Sequence, residues 1–390
     1  MRTMKGPKPT AVLLSLLLLM VSTSWSQAIP SDPNNAALLY YQALLVHHEP
    51  DVAISDVYEA FVKGEAGPTD EIRGYVRGSR AALDYALLGT RVESCDWGLP
   101  YSKGFSLLLS HMSPLRSLCR LVIADARLLA SQGDYQAALD RCLAVQRIAE
   151  HIGDDTLISY LVAMGIRNLE YGCVKDVMGL ACNDGEMLRR IRDEVAKPPK
   201  REISAIRPLR IEMEIVMNLM RTDHVEELVR AVAGGLGKKE LAEKIAAVDE
   251  TTLGKNRHLY SDRVQAMLNV LGSSLPYDRV YSELKQLGEG LDANDRASAL
   301  ASAFVPSLAG VYSTKTRTEA YANAIRAGVE ICLQRAESGK LPTTLPAGLP
   351  KDPFSGQDFR YERTDDGFVL RCQGKDLDKD VMEGFQFVVK

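Results

Sequence analysis

Three aspartates near the end of the chain form the strongest candidate site in the sequence. Asp376, Asp378 and Asp380 alternate with other residues shortly after Gly374. Alternating acids in a loop can turn toward a common point, and carboxylate oxygens of this kind suit Ca²⁺. The order of the twelve-residue EF-hand loop is not met, so a solvated acidic loop at the end of a hairpin is the competing interpretation. Calcium is the only candidate cofactor.

Other residues that could bind a metal or act in catalysis are scattered. His47 and His48 are adjacent, and adjacent helical positions point about 100° apart, whereas two ligands of one ion normally lie four residues apart. We expect them to lie, partly exposed, at a helix end. The sequence contains no G-x-S-x-G motif, phosphate-binding loop or dinucleotide fingerprint. No catalytic residue is therefore predicted.

Three aromatic residues are candidates for a binding surface. Trp97 and Tyr101 lie in the stretch CDWGLPYSKGF, whose glycines and prolines predict a long loop, and Tyr135 lies at the start of a helix. A tryptophan in such a loop either plugs the helical body or lines a cleft, and plugging is favoured because Trp is usually largely buried. All three are equally natural packing residues, so contact with a partner is one of two interpretations.

The cysteines carry no metal signature. None of the seven lies in a C-x-x-C pair, so their spacing predicts no zinc site. Four fall among apolar residues of predicted helices and are expected to be buried: Cys119, Cys142, Cys173 and Cys332. Export would permit disulfides, with Cys173–Cys182, or Cys95 with either of these, as pairings that sequence alone does not decide.

The elements that must position these residues are helices over most of the chain. Apolar residues recur three and four apart between Pro and Gly breaks, as in amphipathic helices. Residues 69–88 and 204–232 each read as one helix. A long last helix at 314–338 is expected to bury one face: Ala320, Ala324, Ala327, Ile331 and Cys332.

The clearest helical pair starts at Pro114 and turns near Gly133. Asp134 can cap the second helix, while Tyr135 and Ala138 place one large and one small side chain for close packing. This turn resembles that of a tetratricopeptide repeat, over about thirty-four residues. No second copy is found at that period, so the resemblance implies an irregular, TPR-like α-helical array rather than a regular superhelix.

After residue 338 Pro and Gly cluster and strict alternation replaces the helical period, which predicts a small β-rich module. It contains a D-P-F-x-G turn, a tyrosine-bearing strand and a G-x-D loop: Asp352, Pro353, Phe354, Gly356, Tyr361, Gly374 and Asp376. These residues resemble the C-terminal globular part of the major pseudopilins of type II secretion, which implies a strand pair and a loop that can hold calcium. The whole arrangement is also similar to uncharacterised exported helical proteins of planctomycete-type bacteria.

The first residues have the order of a secretory signal peptide. Three cations precede an apolar run at 11–21 and a stretch of small, polar residues at 22–28. The run is too short for a comfortable membrane span, so cleavage after Ala28 or Ser26 is expected, with an uncleaved anchor as the alternative. Cleavage would take the formal net charge from −4 to −7. Without clustered cations, nucleic-acid binding is not expected.

The sequence therefore predicts a mainly α protein of three parts: a signal peptide at 1–28, an α-helical array at 29–338 and a small β-rich module at 339–390. The favoured function is an exported, non-catalytic interaction or scaffold protein of the bacterial envelope, periplasmic or extracellular, that binds a protein or peptide by surface shape. The alternative is an exported hydrolase or lyase acting on cell-wall or polysaccharide material. Such an enzyme needs two carboxyl groups with divergent pKa values, which no spacing here demonstrates.

Overall fold

The fold is that of a computed structural model, which describes residues 32–389 except 154, 246–247, 294 and 296. The predicted signal peptide lies outside these residues. The chain is mainly helical, with one small antiparallel sheet near its C-terminal end. The α-helices in chain order are α1 (Ala36–Val46), α2 (Ser55–Lys63), α3 (Asp70–Gly78), α4 (Arg80–Gly89), α5 (Met112–Ser131), α6 (Tyr135–Ile152), α7 (Leu157–Leu180), α8 (Gly185–Ala196), α9 (Ile206–Leu219), α10 (Val225–Arg230), α11 (Lys239–Ile245), α12 (Glu250–Leu271), α13 (Tyr277–Gly288), α14 (Ala299–Phe304) and α15 (Leu308–Ser338). The strands are β1 (Arg360–Thr364), β2 (Gly367–Arg371) and β3 (Gly384–Val388).

Helices α5, α6 and α7 pack side by side at the centre of the helical body. The predicted turn between α5 and α6 is present: Gly133 has φ 85°, and the Asp134 side chain accepts a hydrogen bond from the backbone N–H of Ala137 at 3.0 Å. The pair extends from Met112 to Ile152, which is longer than a repeat of about 34 residues. A TPR-like arrangement is therefore not confirmed.

Two segments predicted as single helices are broken. Residues 69–88 form α3 and α4, which meet at Ser79, after a glycine of low helix propensity. Residues 204–232 form α9 and α10, because Arg221 is extended (φ −130°, ψ 152°), and a π-helical turn follows at Ala231–Gly235. Periodicity shows that a segment is helical, but one residue with non-helical backbone angles breaks it without disturbing the pattern.

Helix α15 is the longest element and lies against α7, α8 and α13. It begins at Leu308, earlier than the predicted start, and ends where Gly339 adopts φ 73°. Its predicted inward face is confirmed as fully buried: Ala320, Ala324, Ala327, Ile331 and Cys332. The predicted β module begins directly after this helix.

The sheet has the order β1–β2–β3, with both pairs antiparallel. Its centre is β2, and β3 lies on α7 and α15. Two helical glycines allow this approach. A Cβ added to Gly179 would lie 2.3 Å from the carbonyl oxygen of Val388, and one added to Gly328 would lie 2.7 Å from the Phe387 ring. Because no larger residue fits at either position, these two glycines allow β3 to pack directly against the helices.

The cysteines are all free thiols in this structure. Cys119, Cys142, Cys173 and Cys332 are buried, as predicted, and neither Cys173–Cys182 nor a pair with Cys95 is formed. Within the described ranges, no helix has the length and apolar character needed to cross a membrane.

Candidate functional site

A cleft between α4, α6 and α8 encloses about 460 Å³ and is lined mostly by polar side chains. The end of α4 contributes Thr90 and Arg91, one face of α6 contributes Ala144 and Arg147, and the turn after α8 contributes Lys200. Ala144 and Arg147 are three residues apart and therefore share a helix face. We call this the α4–α6–α8 cleft.

The carboxylates of the cleft already have cationic partners. The pairs are Asp140–Arg190 at 2.8 Å, Glu150–Arg147 at 2.8 Å and Glu194–Lys197 at 2.7 Å. Glu150 also accepts a hydrogen bond from the Gln146 amide at 3.0 Å. No carboxylate in the cleft is thus left without a partner to act as a general base or to bind a cation.

The cations of the cleft outnumber its carboxylates by five to three. Arg141 pairs with Asp125 outside the cleft at 2.7 Å. Arg91 and Lys200 are exposed and have no ion-pair partner among the residues that the structure describes. The cleft therefore carries a net charge of about +2 from these residues, in a chain whose formal net charge is −4.

His151, which follows Glu150 at the end of α6, lies near two cations of the cleft, Arg147 and Lys200. Burial lowers the pKa of His151, and the nearby cations Arg147, Arg201 and Lys200 lower it further, to about 4. The imidazole is therefore neutral near pH 7.

A buried ionic cluster underlies the cleft. Arg147 and Glu150 on α6 lie beside Arg167 and Glu170 on α7, whose guanidinium and carboxylate are 2.8 Å apart. Burial raises the pKa of Glu170 to about 7, Arg167 opposes the rise, and the charge of Glu150 adds to it. Glu170 is only 2% exposed and does not line the cleft, so its shifted pKa does not place an acid where a substrate can reach it.

Trp97, a candidate for the binding surface, lies inside the body and is only 5% exposed, which is the interpretation that its residue type favoured. Its ring stacks on Tyr40 and on His111 at 5.7 Å and 4.5 Å, and its indole N–H donates to the carbonyl of His151 at 2.9 Å. The loop closes over α1, so the tryptophan plugs the helical body. A large apolar ring gains more from this burial than from contact with water.

Tyr101 and Tyr135 are both half-buried and contact different parts of the structure. The Tyr101 hydroxyl donates to Asp155 at 2.8 Å, and its ring lines a smaller cleft with Ile215 and Glu227. Tyr135 packs against the core at the start of α6. Neither lines the α4–α6–α8 cleft, so the three predicted aromatic residues do not form one recognition site there.

The three aspartates of the candidate calcium site take different roles. Asp376 is buried and forms an ion pair with Arg317 on α15, while Asp380 pairs with Lys375 at 2.6 Å. Asp378 lies 3.4 Å from the same guanidinium. Over the described part of the chain, no group of three or more His, Cys, Asp or Glu side chains is placed to hold a metal ion. Arg317 thus pairs with two of the three aspartates, and calcium binding by this loop stays a prediction.

The D-P-F-x-G and G-x-D motifs are held together by hydrogen bonds to one buried carboxylate. The buried Asp352 carboxylate accepts hydrogen bonds from the backbone N–H groups of Phe354, Gln373 and Gly374 at 2.9, 2.9 and 2.8 Å. A Cβ at Gly374 would lie 2.5 Å from the backbone of Phe354. These residue types are therefore required by backbone contacts between the two loops.

His47 and Glu49 meet Ser117 on α5, which the sequence did not predict. The Ser117 hydroxyl donates to Glu49 at 2.5 Å, and a ring nitrogen of His47 lies 3.3 Å from the same hydroxyl. In a nucleophilic triad the serine hydroxyl donates its hydrogen bond to the imidazole, which then accepts the proton. Here the hydroxyl donates to the carboxylate of Glu49 instead. Ser117 is buried and does not line the α4–α6–α8 cleft.

The residues of the cleft left only a faint sequence signal. Arg147 and Glu150 stand three apart within the second half of α6, where apolar residues predominate, and buried charges are rare unless paired. Arg91 and Lys200 lie 109 positions apart on either side of this helix. Only the tertiary fold, in which α4, α6 and α8 border the same cleft, could bring them together.

Comparison of the chain with protein-family models, with curated proteins and with solved structures gives no match. The class that the fold defines is a mainly helical protein with a small C-terminal sheet. The resemblances to pseudopilins and to exported planctomycete-type proteins stay predictions.

Proposed function

We propose that this protein is an exported, non-catalytic binding protein of the bacterial cell envelope, and that the α4–α6–α8 cleft is its recognition site for a protein or peptide. The observation that carries the proposal is a cleft of about 460 Å³ with hydrogen-bonding walls and no carboxylate free for acid–base work. Concave sites with a few convergent polar groups are the usual places where proteins bind ligands.

The outer face of α1 supports a protein partner. Leu38, Tyr41 and Leu45 are spaced three and four apart, and they are 52%, 36% and 76% exposed. The opposite face of α1 is buried, so this helix is apolar on both sides. Exposed apolar faces of this kind are typical of surfaces that contact other proteins.

A variant that fills the cleft tests the proposal. Leu143 lines the cleft and is half-buried, so Leu143→Trp should occupy the space that a partner needs. Leu161→Trp on α7, at a residue that is 38% exposed, is the matched control. Immobilised wild-type protein and the control should retain the same envelope proteins or peptides, and Leu143→Trp should lose them. Retention that is unaffected by Leu143→Trp would contradict the cleft as the recognition site.

Two further measurements address export and catalysis. Cell fractionation should recover the protein outside the cytoplasm, and a cytoplasmic pool alone would contradict export. Incubation with peptidoglycan fragments and polysaccharides should release no products. Product release that Glu150→Gln abolishes would make the hydrolase the correct function, because Glu150 is a buried carboxylate that lines the cleft.

A further inference from the structure

We propose that the α4–α6–α8 cleft recognises a carboxylate-bearing segment of its partner, an acidic peptide held between Arg91 and Lys200. The proposal deepens the proposed function and rests on it, since it names the chemistry of the partner at the same site. It is argued from the charges of the cleft, their pairing and the apolar parts of its walls.

Arg91 and Lys200 line the cleft from two different elements, the end of α4 and the turn after α8. The other three lining cations already have carboxylate partners on this chain. Because Arg91 and Lys200 have no such partner among the described residues, an incoming anion can pair with them without displacing an existing ion pair. Cations that line one concave site steer and orient an acidic ligand.

The placement of the charge favours the separate carboxylates of a peptide. Three carboxylates remain in the walls and leave a net charge of about +2. Arg91 and Lys200 come from different elements, so each can pair with a different carboxylate of one acidic peptide. A singly charged carboxylate needs one cation, and the side chains of Thr90 and Gln146 can hydrogen-bond the amide groups of a peptide.

The walls also suit the rest of an acidic residue. Leu87, Leu143 and Pro198 line the cleft together with the charged groups. Apolar surface next to a cation accepts the methylene groups of a glutamate while its carboxylate reaches the charge, as long polar side chains commonly do. A short acidic peptide therefore matches both the apolar and the cationic parts of the cleft.

Fluorescence anisotropy with two labelled hexapeptides, hexaglutamate and hexaglutamine, tests the proposal on the purified chain. Hexaglutamate should bind about tenfold more tightly than hexaglutamine, since each cation contributes a screened surface ion pair. The double variant Arg91→Glu/Lys200→Glu should weaken hexaglutamate binding by about tenfold or more. Both residues are exposed, so the reversal should leave the fold intact, which circular dichroism verifies.

The matched control is Lys340→Glu/Lys351→Glu, which makes the same change in net charge at two exposed residues outside the cleft. It should change hexaglutamate binding less than about twofold. Equal weakening by the control would mean non-specific attraction and would overturn the proposal, as would failure of hexaglutamate to bind. Tighter binding of inorganic tripolyphosphate than of hexaglutamate would overturn the carboxylate assignment.

The two proposals fail in different ways. If hexaglutamate binding is unaffected by Arg91→Glu/Lys200→Glu but Leu143→Trp still loses the retained partner, the acidic chemistry is wrong and the binding function stands. If Leu143→Trp changes nothing, the cleft is not the recognition site.

Discussion

Two buried titratable side chains near the α4–α6–α8 cleft have pKa values shifted in opposite directions. Burial raises the pKa of Glu170 from 4.5 to about 7, and burial with nearby cations lowers that of His151 from 6.5 to about 4. Between pH 4.5 and 7 the folded state holds a proton on Glu170 that the unfolded state has lost, so the free energy of unfolding falls as pH rises. His151 has the opposite effect between pH 4 and 6.5, because the unfolded state then binds more protons.

Replacing Glu170 should expose the contribution of His151. Glu170→Gln removes the contribution of Glu170, which lowers the free energy of unfolding as pH rises. In this variant the free energy of unfolding should therefore rise with pH more steeply than in the wild type. The difference in slope should be about 1.4 kcal/mol per pH unit between pH 5 and 6.5, the value for one proton. Urea denaturation at several pH values measures it. Glu186→Gln, at an exposed position on α8, should leave the slope unchanged, and parallel curves for Glu170→Gln would contradict the shifted pKa.

At the scale of elements, the sheet is attached to the helices by contacts too close for ordinary side chains. Gly179 lies in α7, where alanine normally stabilises a helix by about 0.5–1 kcal/mol relative to glycine. At this position the added methyl group would meet the carbonyl of Val388 at 2.3 Å. The strand must therefore move away before any residue other than glycine fits.

Gly179→Ala should consequently lower the free energy of unfolding, by about 1–3 kcal/mol as for other overpacked sites. Gly165→Ala in the same helix is the control, since nothing lies within 4 Å of its added Cβ. The control should stabilise the protein slightly. Urea denaturation of both variants gives the comparison, and the same sign for both would show that β3 does not pack on α7 as described.

The ion pair between Arg317 and Asp376 fixes the loop after β2 to α15. Burial raises the pKa of Asp376, but the hydrogen bonds and charge of Arg317 outweigh it and hold the pKa below its ordinary value of 3.8. A carboxyl group whose pKa is lowered in the folded state stabilises the fold at pH values above its ordinary pKa. This contribution is lost as the pH falls through the lowered pKa. Tyr277 adds a hydroxyl donor to the same carboxylate at 3.3 Å.

Arg317→Met should leave Asp376 buried without its partner and lower the free energy of unfolding by about 3 kcal/mol near pH 7. The loss should shrink as the pH approaches 3, where the carboxyl becomes neutral. Arg360→Met serves as the control, since the Arg360–Glu362 pair is exposed and should contribute less than about 1 kcal/mol. A deficit that does not depend on pH would argue that Arg317 acts through packing alone.

At the scale of the whole molecule, helices and sheet share one core. Phe354, Phe368 and Phe387 of the β module belong to the same buried cluster as the helices α7 and α15. The predicted boundary at 338/339 coincides with the end of α15, but many contacts cross it. A segment whose apolar face is buried only against its neighbour is not expected to fold alone.

We therefore expect a single thermal transition for the whole chain, with equal calorimetric and van't Hoff enthalpies. Deletion of residues 339–390 should abolish that cooperative transition, because it exposes the apolar face of α15. Differential scanning calorimetry of both proteins measures this. Two separate transitions in the full chain, or a cooperative transition in the truncated chain, would show that the two parts are independent domains.

The sequence by itself determined the local features of this protein. The 3.6-residue period fixed which segments are helical and which face of α15 is buried, and turn residues fixed the cap at Asp134 and the C-terminal β module. These depend on neighbours a few positions apart, so their physics is present in a short window. The helix breaks at Ser79 and Arg221 could not be predicted in this way. A single residue can adopt non-helical backbone angles without altering the 3.6-residue period of the apolar residues.

Only the tertiary structure decided the rest. It buried Trp97 against Tyr40, paired Asp376 with Arg317, and brought Arg91 and Lys200 to one cleft. Each of these outcomes depends on residues far apart in the chain, and no local period encodes such pairings. A buried carboxylate attracts a metal ion or an arginine for the same electrostatic reason, so its partner is chosen by which group the packing brings within reach.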